Sequence, residues 1–108
     1  MELNYLPIKK SKTKMDKFII SLDDKEYLFE FYWNDIGKFF SFNMYDSESN
    51  PIILGRKITY NINMLDNIID ERLPNVAILP LDPSLIDGHI TYDNFMESVK
   101  CYILPGDA

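Results

Sequence analysis

Residues 18 to 45 constrain this chain most, because their apolar side chains recur every second position, which a strand buries on one face and a helix scatters. Phe18, Ile20 and Leu22 point one way, and Asp23-Asp24-Lys25 then turns the chain back. The run Glu26 to Trp33 sets Tyr27, Phe29, Phe31 and Trp33 on one face and Glu26, Leu28, Glu30 and Tyr32 on the other. Asn34-Asp35-Ile36-Gly37 makes a second turn into a strand over Lys38 to Tyr45, with Phe40, Phe42 and Met44 opposed to Phe39, Ser41, Asn43 and Tyr45. Three consecutive antiparallel strands form a meander.

Downstream, Asp46 to Pro51 is dense in turn formers, and short strands are expected over Ile52 to Leu54 and Arg56 to Tyr60, with a bulge at Gly55. Leu65, Ile69 and Leu73 follow a helical period with Ile68 beside them, which predicts one short helix between Asn63 and Leu73. Val76 to Leu81 reads as a strand, Pro80 to Tyr92 as a proline-containing loop, and Val99, Cys101 and Ile103 as a closing strand. The expected fold is mainly β, a small antiparallel β-sandwich or barrel with a meander, one short helix and an extended N-terminal arm. A length of 108 residues with 14% aromatic content fits one folded domain over 17–108, preceded by an arm over 1–16.

The arm is basic. Residues 1 to 17 carry five lysines against Glu2 and Asp16, so the rest of the chain holds −9 of a total of −6. An acidic body repels nucleic acid and anionic lipid. Lys9, Lys10, Lys12 and Lys14 lack interleaved aromatics, so an acidic protein surface is a better partner for them than a phosphate backbone; a mobile, solubilising terminus is the alternative. No stretch approaches a membrane span, and the opening Met1-Glu2-Leu3-Asn4 lacks the basic start of a secretory signal, which implies synthesis in the cytoplasm.

Leu28, Tyr32, Phe39 and Tyr45 fall on the outer face of the meander, where a second sheet, a barrel closure or a partner subunit must cover them. Catalytic patterns are sparse. His89 is the only histidine, and Ser84 and Asp87 beside it lie in a turn-rich loop without a nucleophile elbow. Asp66, Asp70 and Glu71 read as a solvated helix face, and Cys101 as a buried core thiol. Neither a cofactor nor a metal is implied, and no small-molecule substrate is expected.

In order, FIISLDDKEYLFEFYWNDIGKFFSFNMYDSESNPIILGRKI resembles the small phage baseplate plug proteins of contractile tails, found also in phage-like bacteriocins. Met44-Tyr45-Asp46, Asn50-Pro51-Ile52-Ile53-Leu54-Gly55, Asn63-Met64-Leu65 and the closing Val99 to Leu104 carry the likeness, while Asp93 to Glu97 replaces that family's glycine-rich approach to the last strand. The resemblance implies a structural virion component without enzymatic activity, made in the bacterial host cytoplasm and sited in the tail baseplate. It also implies a place on the tail axis, with tube, hub and spike subunits as partners and a symmetric oligomer within the particle. The expected subunit interface joins Lys9, Lys10, Lys12 and Lys14 to Leu28, Tyr32, Phe39 and Tyr45. A free regulatory module occupying a basic surface of a host protein is the other reading of so acidic a body.

Overall fold

A computed structural model describes residues 4–10 and 14–106. It contains strands β1 (Asn4–Tyr5), β2 (Met15–Leu22), β3 (Lys25–Asn34), β4 (Phe39–Tyr45), β5 (Pro51–Lys57), β6 (Val76–Leu81) and β7 (Lys100–Pro105). They form two antiparallel sheets, of order β2-β3-β4-β5 and β1-β7-β6.

Turn chemistry sets the meander's register. Asp23 and Asp24 both adopt positive φ (53° and 64°), the geometry of the two-residue hairpin that follows strand twist, and Leu22 pairs with Lys25 across it. The Asp23 carboxylate accepts the Asn75 N–H at 3.0 Å, tying this turn to the start of β6. Between β3 and β4 the Asn34 side chain accepts the N–H groups of Ile36 and Gly37. The bulge expected at Gly55 is present: Leu54 and Gly55 together oppose Asn43, Gly55 takes φ of 66°, and its N–H donates to the Asn43 side-chain oxygen at 2.7 Å.

The alternation becomes the core. Tyr27, Phe29, Phe31, Phe42 and Met44 are buried, and Phe29, Phe31 and Phe42 stack with ring centroids 6.0 to 6.3 Å apart. The smaller sheet faces them with Ile78, Pro80 and Cys101, and Phe95 fills the gap before β7. Pro80 lies on an edge strand with its missing N–H turned away from β7, on the side where Asn61 and Met64 donate to the strand's carbonyls, so the ladder to β7 loses no bond.

One expectation needs amendment. Among the described residues there is no helix: Asn63 to Leu73 is a chain of turns, with the N–H of Asp66, Ile68 and Leu73 reaching the carbonyl three residues back. Asn67 takes φ of 61°, which breaks helical continuation, and the Asn63 side chain binds the N–H groups of Leu65 and Ile78 instead of leaving the backbone to itself. Leu65 is buried while Ile69 is fully exposed, so the apolar spacing does not define a single face.

The sequence leaves open whether the arm is docked or mobile. Tyr5 pairs with Tyr102, the Leu6 N–H donates to the Cys101 carbonyl at 2.9 Å, and Leu6 and Ile8 are 0% and 6% exposed. The described part of the segment before residue 17 is docked and shares the common core.

Candidate interaction surface

The register of the four-stranded sheet assembles its outer face. Ile19 opposes Leu28, which opposes Tyr45; Met15 opposes Tyr32, and Phe39 lies at the far end opposite Asn34. Leu28, Tyr32, Phe39 and Tyr45 thus share one surface, each half-buried by neighbours within the sheet, because the smaller sheet covers the other side. Met15, Ile19 and Leu54 extend the apolar area at 54%, 68% and 62% exposure. These three were not singled out from sequence, although Ile19 stands between core-facing Phe18 and Ile20 and must point outward.

A polar seam crosses this surface. Lys17 opposes Glu30, which opposes Asn43, and the Asn43 amide donates to the Glu30 carboxylate at 3.1 Å. The Tyr45 hydroxyl also bonds Glu30, which raises its pKa above the usual tyrosine value. Lys57 places its ammonium 5.1 Å from the centre of the Phe39 ring. Its aliphatic patches therefore flank a charged, hydrogen-bonded centre, the mixture from which subunit contacts are made.

The lysine cluster is not one free patch. Lys14 bonds both oxygens of Asp35 at 2.8 and 2.9 Å, and this contact raises the lysine's pKa and holds the Asp35 carboxyl below its usual range. Lys10 donates to the carbonyls of Tyr92 and Asp93 and sits 5.3 Å over the Tyr92 ring. Lys9 is exposed, its backbone N–H held by Asp16 at 2.8 Å, and Lys12 lies outside the described residues.

Residues weighed for catalysis are distributed over separate tasks. Ser84 donates to Asp82 at 2.7 Å, Asp87 accepts from Ser98, and His89 is exposed. The missing organiser in this loop was Asp82: nearly buried, it accepts the N–H groups of Ser84 and Asp87 as well, and the Ser84 hydroxyl foremost lowers its pKa. Asp70 works structurally, gripped by Arg72 through bonds of 3.0 and 2.6 Å that hold its carboxyl at about 2. Arg72 also reaches Asp46 at 3.0 Å and the Pro51 carbonyl at 3.2 Å, while the Tyr27 hydroxyl donates to its carbonyl. One arginine thereby fastens the 63–75 loop to two strands. Cys101 is buried, and burial pushes its thiol pKa up. Among the described residues no group of three His, Cys, Asp or Glu side chains is placed to hold a metal ion.

Polar networks that brace loops, beside a sheet face that carries exposed Met15, Ile19 and Leu54, make this a small two-sheet β protein. The chain belongs to the family described as cyanophage baseplate Pam3 plug gp18, whose model matches residues 3–106. It is accordingly a phage baseplate protein of the structural kind, sited in the virion tail. No curated protein matches the chain.

Proposed function

We propose that the chain acts as a non-enzymatic plug on the axis of a contractile tail. The outer face of β2 to β5 contacts neighbouring tube, hub or spike subunits, in a symmetric arrangement within the particle. The observation that carries this reading is the set of exposed apolar side chains Met15, Ile19 and Leu54 on the same sheet face as the half-buried Leu28, Tyr32, Phe39 and Tyr45. Covering one such side chain on assembly contributes on the order of 1 to 2 kcal/mol, so a few suffice for stable incorporation.

Lys9 and Lys12 supply the remaining basic contacts, whereas Lys10 and Lys14 act by holding the arm against its own body. The experiment is incorporation: particles from a host expressing Leu28→Asp plus Tyr45→Asp are purified, and the chain is quantified by mass spectrometry against a tube protein. Wild-type chain at fixed stoichiometry, and its loss in the double variant despite native circular dichroism, is the expected result. Equal incorporation of the folded variant refutes the assigned face, and absence of wild-type chain from tail tips refutes the axial role.

A further inference from the structure

A sheet edge offers unpaired N–H and C=O groups to any strand that can reach it, and folded proteins usually blunt such edges. Here three of four are blunted: β1 spans two residues, β5 begins at Pro51 and is bulged at Gly55, and β6 contains Pro80. The fourth edge, β2, runs eight residues with neither proline nor glycine and keeps unbroken register with β3.

Its open groups follow from the ladder. The Trp33 N–H donates to the Lys14 carbonyl at 3.0 Å, so these residues form a hydrogen-bonded pair. Alternation then makes Asp16, Phe18, Ile20 and Leu22 the β2 residues bonded to β3, and turns the odd residues outward. Met15 is otherwise engaged. Lys17, Ile19 and Ser21 are exposed, and their backbone groups meet no partner among the described residues.

These three residues are symmetric about Ile19. The geometry points to a second copy of this chain as the occupant: two β2 strands pair antiparallel about a two-fold axis through Ile19, joining two four-stranded sheets into one continuous sheet. Ile19 meets Ile19 of the other copy, Lys17 meets Ser21 and Ser21 meets Lys17, which gives about six N–H···O bonds and leaves none of the open groups unused. On the inner face Phe18 meets Ile20, and both sit half-exposed at the rim of the core. Isologous pairing of this kind closes on itself and does not propagate.

Charge selects the same register. Pairing about Ile19 opposes no like charges and sets Lys17 diagonally beside Asp23 of the other copy. Pairing about Phe18 instead places the two Lys17 side chains on a diagonal and leaves Ser21 facing the engaged Met15. Pairing about Ile20 sets Lys17 against Asp23, where φ of 53° has already ended the strand.

This inference stands on the chain alone and is tested without a baseplate. Sedimentation velocity of the purified full chain, from about 1 to 200 µM, is expected to show a concentration-dependent dimer. Ile19→Pro removes an outward N–H while sparing the bonds to β3, and is expected to weaken dimerisation at least about tenfold. In a hydrogen-bonded antiparallel pair the Cα atoms lie about 5.5 Å apart, within disulfide reach, so Ile19→Cys is expected to cross-link on mild oxidation. Ile36→Cys, at 96% exposure but off this edge, is not. A chain that stays monomeric throughout overturns the proposal, as does equal cross-linking at positions 19 and 36 or an undiminished dimer of folded Ile19→Pro. If Ile19→Pro fails to fold, the two cysteine variants decide.

Discussion

Replacing Leu6 by alanine tests whether the segment before β2 belongs to the core. Leu6 is fully buried, and its N–H is bonded to Cys101 in β7, which Leu6→Ala retains because only the side chain changes. The loss is therefore the transfer free energy of the removed carbons plus the cavity left among core side chains, together about 3 kcal/mol within the 2 to 5 kcal/mol found for such truncations. Against a total stability of about 5 to 15 kcal/mol this is a large fraction. With a urea m-value of about 1.5 kcal/mol/M for a chain this size, the unfolding midpoint should fall by about 2 M at unchanged slope, read by tryptophan fluorescence of Trp33. Lys9→Ala, three residues on and exposed, should move the midpoint by less than about 0.3 M. If Leu6→Ala shifts the midpoint no more than Lys9→Ala does, the segment is a passive arm and its place in the core is refuted.

Acid should weaken the fold through Asp70, whose folded carboxyl titrates at about 2 while the unfolded one titrates at about 4, so its stabilisation is complete above about pH 4 and disappears as pH falls through about 2. Urea midpoints measured from pH 5 to pH 2 should show that decline, and Asp70→Asn should lower the midpoint at pH 7 and flatten the decline. Gly55→Ala should cost about 1 kcal/mol by equilibrium unfolding, because φ of 66° penalises a Cβ although the space is open, the nearest atom being the Tyr32 hydroxyl at 3.6 Å. Cys101 should resist a thiol reagent at pH 8 in the native state and react promptly in denaturant, since it is buried and its thiol pKa is raised.

Period-2 patterning made the meander readable because each strand there buries one face, and a shift of one residue would exchange Phe29, Phe31 and Phe42 for Leu28, Glu30 and Asn43. The same parity placed Leu28, Tyr32, Phe39 and Tyr45 together on the outer surface. Between Asn63 and Leu73 the helical spacing misled, since apolar spacing records which residues are greasy and not which backbone groups the side chains will capture. Asn63, Asn67 and Asp70 decide that segment through turn chemistry and a contact with Arg72, a partnership that depends on strands brought together only by folding.

Lys10 and Lys14 show how charge that points outward from the sequence can also be taken up within the molecule. Five lysines ahead of an acidic body call for an acidic partner surface, and the body itself is the nearest one, joined to them by its own chain. Lys14 finds Asp35 at the β3–β4 turn, and Lys10 finds the carbonyls and ring of Tyr92. Exposed ion pairs of this type add little stability and do not order the segment by themselves. Leu6 and Ile8 bring the apolar area that does, and the lysines then set how the docked chain lies. Charge asymmetry along a sequence therefore identifies two surfaces that attract, while burial of the intervening side chains decides whether both belong to one molecule.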